Sequence, residues 1–316
     1  MEHAGPRISD QLDGLLGVLP PAVEAGDLER VRAHLESAAD RAVALLDGHD
    51  ATDRLPLRLP KGRVAALLTC ERHAVARHAA PFDDSLAVPL LRGIALDRYV
   101  LHELTTGPVA DPFEDLLAML DAQAELGTRD QVIASEEELA PQLAALATAA
   151  RVWSGLDPDW WPRTQTPAAV HLAGGRVISE GRVDVELGGP LTGRPGVVVE
   201  VKSGGPRPDH LAEVTQYALL VSLRDGVAPA LVARWYPGGQ LAHQPVTGDV
   251  LWSAARRLTA AIGIWAELQS GRPPAETSGP SCGWCPAADV CPSAVAPSDP
   301  LAFLDEAWDP EDPDDG

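Results

Sequence analysis

Apolar positions recur at helical spacing through most of the first half of the chain. Within residues 8–46, Leu12, Leu15, Leu16 and Leu19 form one stripe and Val31, Leu35, Val43 and Leu46 another, with Pro20 and Pro21 between them. Residues 64–80 and 85–104 read as further helices, the second with Pro89 as a candidate interruption, and residues 113–125 and 135–153 continue the pattern. Glu136, Glu137 and Glu138 open the last of these, where acids suit the positive end of a helix dipole. That accounts for them without chemistry.

The period changes after DPDWWPRTQTP. AAVHLAGGRVIS places a Gly-Gly turn between two short strands, RVDVELGG keeps the alternation, and GVVVEVKSGG reads as a valine-rich strand. HLAEVTQYALLVSL then predicts an amphipathic helix, ALVARWYPGGQLAHQPV a second hairpin and residues 248–270 a closing helix. The order predicts an α/β sandwich around one small mixed sheet, with a helical N-terminal region. Trp160 and Trp161, beside the Pro-rich loop, are expected to pack rather than to stack on bases.

Composition narrows the class. The 33.3 kDa chain of 316 residues is 45% hydrophobic but only 4% aromatic, enough for a full core built largely on alanine and aliphatic residues. It has no run of 18 apolar residues, and its N-terminus lacks a basic stretch followed by an apolar one, so a soluble, cytoplasmic protein without a membrane partner is expected. A formal charge of -21 argues against tight, autonomous, non-specific binding of nucleic acid.

Cys70, Cys282, Cys285 and Cys291 are the only cysteines, the last three in a C-x2-C-x5-C run. In a chain without a secretory leader such a set suggests metal binding before disulfides, and four thiolates suit either an iron–sulfur cluster or a structural zinc. Cys70 as a buried small apolar residue unrelated to the triplet is the plain alternative.

Asp184 lies in GRVDVEL, and Glu200 and Lys202 lie in VVVEVKSG. Residues two apart on a strand share a face, so Glu200 and Lys202 project together, away from Val199 and Val201. If the two strands pair, Asp184 approaches Glu200, and the two carboxylates with the Val201 carbonyl would make an oxygen site suited to Mg2+ or Mn2+. Alternating acid and base on a solvated strand is the plain alternative, against which stand the valines flanking both charges.

Taken in order, these motifs resemble the iron–sulfur members of the PD-(D/E)XK nuclease superfamily, the RecB-like group that contains AddB-type recombination nucleases and CRISPR-adaptation exonucleases. Cys70 before the core and Cys282, Cys285 and Cys291 after it match that group's cysteine pattern; GRVD with Asp184 matches its G-x-x-D strand and EVK with Glu200 and Lys202 its E-x-K strand. The match covers roughly residues 64–295. It implies a restriction-endonuclease-like core, a [4Fe-4S] cluster held by the four cysteines as a C-terminal staple, and metal-dependent cleavage of DNA phosphodiesters in recombination or repair, with Lys202 assisting.

Two positions depart from the group. Its G-x-x-x-H helix motif reads here as Gly93 followed by Asp97, an oxygen ligand in place of histidine, while His102 lies round the helix from Asp97. Its Q-x-x-x-Y motif reads as Glu213 and Tyr217, one face of a helix at i, i+4, with Gln216 out of register. A carboxylate at 213 is unfavourable beside DNA phosphate, so a catalytically weak or inactive subunit that docks a helicase or repair partner is the alternative function, and a zinc-bound adaptor a third. No Walker-type G-x-x-x-x-G-K-[ST] motif is present, so unwinding would come from another chain. The organisation predicted is an N-terminal helical region (1–60), a helical region with the first cysteine (61–130), the nuclease core (131–272), the cysteine segment (273–295) and an acidic tail (296–316). Trp284 would shield the cluster, and the tail, rich in Asp and Glu, is expected to be solvating.

Overall fold

The computed structural model describes residues 6–16, 19, 22–80, 88–122, 129–239 and 241–295. The tail expected at 296–316 lies outside them.

Two helical layers enclose one mixed sheet. The first layer begins with α2 (Ala25–Gly48), which follows a short α1 (Ile8–Leu16). Leu28, Val31, Leu35, Ala39, Val43 and Leu46 of α2 are all buried, the three-to-four spacing that one apolar face requires. Strand β1 (Leu57–Pro60) leads directly into α3 (Lys61–Thr69) and then α4 (Glu71–Ala79). The predicted 64–80 helix is therefore broken at Cys70, whose φ of -155° and ψ of 114° are extended. Tertiary contacts account for the break. Glu71 takes a bidentate pair from Arg272 (2.8 and 3.0 Å) and the Ala275 N–H (2.8 Å), while the Arg72 N–H donates to the Ala275 carbonyl (3.1 Å).

The second layer is built from α5 (Val88–Thr105), α6 (Pro112–Ala122), α7 (Arg129–Ala134) and α8 (Glu136–Ala150). Pro89 falls in the first turn of α5, where a missing N–H costs nothing, so no interruption follows. Next come β2 (Arg163–Leu172), β3 (Val177–Gly189), β4 (Arg194–Val201), α9 (Pro208–Asp225), β5 (Leu231–Trp235), β6 (Ala242–Pro245) and α10 (Gly248–Gln269). The alanines of α10 (Ala254, Ala255, Ala261, Ala266) are buried and let α2 and α9 lie close against it. Thr247 caps its first turn by accepting from the Val250 N–H (3.4 Å). Among the described residues no helix is long and apolar enough to cross a membrane.

The sheet runs β1-β3-β4-β5-β6, with β2 on the other edge of β3. β1 is parallel to β3 over Val177–Glu180, and β4 is antiparallel to it over Val185–Gly189. β2 covers β3 from Val177 to Glu186. Since β3 has only two edges, β1 and β4 share the one opposite β2, and their C-terminal ends face each other across residues 181–184. This head-on meeting leaves a break in the sheet. The faces on either side are firmly packed: Val198 of β4 joins the core with α2, α9 and α10, while Val197, Val199 and Val201 join the core with α5, α6 and α8. Each such burial is worth about 1.5–3 kcal/mol.

Candidate functional site

The break between β1 and β4 gathers the charged residues. Val183 packs in one core while Val185 and Leu187 pack in the other, so the in–out phase of β3 slips at Asp184. There the side chain turns into the gap, and Asp184 Oδ2 accepts the Val201 N–H (2.8 Å) that would otherwise continue the β3–β4 ladder. Glu200, on the last turn of the pleat before that point, is 3% exposed. Its Oε1 accepts from Lys61 and from Lys202 (2.8 Å), and its Oε2 is buried with no hydrogen-bond partner.

α9 contributes Glu213 and Tyr217, the i, i+4 pair on one helix face. Glu213 Oε2 accepts from Lys202 (2.7 Å) and lies 3.4 Å from the Lys61 ammonium. Sharing that oxygen puts the two ammonium groups within about 6 Å of each other, a repulsion of ~3 kcal/mol at an effective dielectric of 20. The Lys61 ammonium also sits 4.7 Å from the centre of the Tyr217 ring. Gly181 makes room for that ring, because a Cβ there would lie 2.5 Å from Tyr217 Cε1.

From the other layer, α5 brings Asp97 to the same gap. Gln165 bridges it to the sheet: its amide donates to Asp97 Oδ2 (3.2 Å) and, longer, to Asp184 Oδ1 (3.5 Å). Gln165 does so from the left-handed region, with φ at 51°, a conformation that costs energy in a residue other than glycine. His102 turns elsewhere, to Thr106 (2.9 Å) and Asp115 (3.3 Å), and Gln216 is a buried donor to Ser179 (3.3 Å).

Protonation follows from this crowding. Burial, then the charge of Glu200, pushes the Asp97 carboxyl well above the usual carboxylate range. Burial and the charges of Glu200 and Asp97 do the same to Asp184. Burial alone would depress the two lysines, but at Lys61 Glu200, Tyr217 and Glu213 together outweigh it, and both ammoniums are held charged. Burial opposes ionisation of Glu213, yet Lys61 and Lys202 hold it below its ordinary value. The phenol of Tyr217 is pushed up to about 12 by burial and stays neutral.

The cofactor expectations are overturned. Among the described residues no group of three or more His, Cys, Asp or Glu side chains is arranged to hold a metal ion. All four cysteines are free: Cys70 is buried beside α3 and α4, and Cys282, Cys285 and Cys291 are half-buried in the loop after α10. The [4Fe-4S] staple is thus corrected. The link between the N-terminal helices and the C-terminal segment is made instead by the Glu71–Arg272 clamp and an Arg72–Glu276 pair (3.1 Å). Trp284 is 48% exposed and shields no centre. The Mg2+ or Mn2+ site expected from Asp97, Asp184, Glu200 and the Val201 carbonyl is corrected on the same ground, since lysine ammoniums already neutralise Glu200 Oε1 and the Val201 N–H occupies Asp184 Oδ2.

Two residues of the gap are absent from the sequence reading, Lys61 and Gln165. For Lys61 a signal existed: Lys61 and Lys202 are the only lysines in the chain, and all other basic residues among its 25 are arginine. Both converge on one carboxylate oxygen. Gln165 carried no comparable mark, lying in a Pro-rich stretch that reads as loop. Of the two tryptophans nearby, Trp160 is buried as expected and Trp161 is 62% exposed.

No family model matches the chain, and no curated protein matches it. A solved structure from Eubacterium rectale, provisionally described as an exonuclease, is similar with a TM-score of 0.44 at 13% identity, over 78% of this chain and 92% of that one. A second, named SSO0001, is similar with a TM-score of 0.30 at 14% identity, over 64% and 96%. At these scores neither bears on the assignment.

Proposed function

We propose that the chain is a nuclease that hydrolyses DNA phosphodiester bonds at the gap between β1 and β4, with the residue arrangement of the PD-(D/E)XK type. The observation that carries this reading is the meeting of Asp184 on β3, Glu200 on β4 and Lys202 just beyond the end of β4, with the second carboxylate oxygen of Glu200 buried and left without a partner. A pocket that needed only to be neutral would pair its acids with bases and leave no buried oxygen over, because an unpartnered one costs about 1–3 kcal/mol.

In this reading the attacking water delivers its oxygen to phosphorus and its proton to whichever of Asp97 and Asp184 is ionised. The phosphorus–oxygen ester bond breaks, and the departing oxygen takes a proton from the other, leaving a phosphomonoester and a free hydroxyl. Two carboxyls held above their usual range by burial and by the charge of Glu200 are suited to take and return a proton near neutrality. Lys202 offsets the charge gathering on the phosphate oxygens, and Tyr217 holds the wall of the pocket on which Lys61 rests.

The test is cleavage of labelled single- and double-stranded oligonucleotides by the purified full chain, in EDTA and separately with Mg2+ or Mn2+. Asp184→Asn, which removes a proton-transfer group, and Glu200→Gln, which removes the charge that raises both carboxyls and holds Lys202, are each expected to lower the rate by about 10²-fold or more; full activity in both would overturn the reading. One feature favours the docking-subunit alternative. Glu213 occupies both lysines, so a chain that binds DNA without cutting in any arm of the assay would support that alternative instead.

A further inference from the structure

We propose that Lys61 is a second catalytic lysine: in the resting chain its ammonium is held on Glu200 and Glu213, and on substrate it moves to a non-bridging oxygen of the scissile phosphodiester. This deepens, and rests on, the nuclease reading above. Lys202 and Lys61 contact the same two oxygens, Glu200 Oε1 and Glu213 Oε2. One ammonium suffices to neutralise Glu200. The second balances Glu213 and is repelled by the first, so an arriving phosphate that takes over its charge pairing can draw it away.

Its placement supports the same role. The first turn of α3 reads Lys-Gly-Arg with no acid, the reverse of what the dipole at a helix N-terminus favours. Helix stability therefore gives no reason for a lysine there. The backbone on either side is fixed by β1 pairing with β3 and by the helix itself, whereas the side chain is held by Glu200, Glu213 and the Tyr217 ring. It can leave them without disturbing any backbone hydrogen bond. At 20% exposure the side chain is reachable from solvent, unlike Glu200 beneath it at 3%. Residue type points the same way. A chain that otherwise uses arginine for its cations has lysine at both positions of this pocket. A compact ammonium on a flexible stem can shift between partners in a narrow gap, where a planar guanidinium would need a wider fork of acceptors.

Having only two lysines makes the test direct. Acetylation of each is followed by mass spectrometry in the wild-type chain, with and without a single-stranded phosphorothioate oligonucleotide that resists cleavage. The oligonucleotide is expected to slow acetylation of Lys61 by at least about tenfold. In parallel, folded Lys61→Met is expected to raise KM about tenfold or more with a smaller fall in kcat, and Lys61→Arg to lie between it and wild type. Unchanged acetylation at Lys61 overturns the proposal even if the Met variant does not fold. Active wild-type protein with unaltered KM in Lys61→Met also overturns it, leaving the nuclease reading intact. Wild-type protein that never cleaves but is protected at Lys61 keeps the phosphate contact and sinks the nuclease reading; absence of both removes the two together.

Discussion

Replacing Gly181 with alanine tests whether the pocket wall is as tightly fitted as its geometry requires. The new Cβ would lie 2.5 Å from Tyr217 Cε1 and 3.4 Å from both Cζ and Oη. The first distance is about 1 Å inside ordinary carbon–carbon contact of ~3.5–4.0 Å. Tyr217 is 4% exposed, so the ring has little free space to retreat into. Overpacking of this kind costs about 1–3 kcal/mol, against which Gly→Ala recovers about 0.4–1 kcal/mol of unfolded-state entropy. A net loss of about 1–2 kcal/mol is expected, read as a lower midpoint of urea unfolding with an unchanged m-value. The decisive measurement is a double-mutant cycle. Tyr217→Ala alone is expected to cost about 3–5 kcal/mol as a cavity. Gly181→Ala added to it should cost nothing or stabilise slightly, because the atom it struck is gone. The coupling should therefore exceed about 1 kcal/mol. Additive effects within about 0.5 kcal/mol would refute the claim that Gly181 is glycine for the sake of Tyr217.

Further expectations follow from the buried charges. Glu186, 2% exposed, receives a bidentate pair from Arg224 (2.9 and 2.8 Å) and a further bond from Arg163 (2.8 Å), so Glu186→Ala is expected to cost about 2–3 kcal/mol in chemical unfolding by leaving Arg163 without an acid and Arg224 with Asp225 alone. His210 is buried, bonded to the Tyr236 hydroxyl (3.0 Å), and pushed down to about 4 by burial and by Lys202. The unfolded chain takes up that proton from about pH 6.5 downward while the folded one resists until about 4. Its contribution is present above pH 6.5 and is lost as pH falls through that window, about 2 kcal/mol of it by pH 5; His210→Gln should flatten the stability–pH curve there, and an unchanged slope would contradict the assignment. Glu71→Ala should expose the segment after residue 272 to limited proteolysis, whereas Cys285→Ala should leave its cleavage rate unchanged.

Most of the scaffold was readable because burial on one face of a helix or strand leaves a period in the sequence. Within the described residues, the stripes at 8–46 and the helix at 113–125 correspond to α1, α2 and α6, and the hairpins after residue 166 to β2–β3 and β5–β6; residues 123–125 lie outside the described residues. β1 escaped because four residues, Leu-Arg-Leu-Pro, are too few to show alternation and end in a residue poor in strands. The break at Cys70 escaped because no proline or glycine marks it; contacts to residues 272–276, some 200 positions away, impose it. In the pocket, Asp184, Glu200 and Lys202 were legible as charges among valines. Lys61 and Gln165 were not, since each owes its place to a strand junction that local pattern does not encode. The cysteine spacing, the most conspicuous feature of the sequence, led to a centre that the placement of the four side chains does not form.

Under the proposed nuclease reading, the head-on meeting of β1 and β4 has a consequence for when the chain could become active. Lys61 and Glu200 are 139 positions apart, and β1 has no sheet to join until Val177–Glu180 exists. During synthesis the N-terminal helices can form as they emerge, but the pocket waits for a long loop to close, a step that chain entropy makes slow. A partly made or truncated chain therefore has the scaffold of one layer and none of the reactive arrangement. Competence to cut nucleic acid would arrive only with the last strand pairing, so that completion of the fold itself acts as the safeguard.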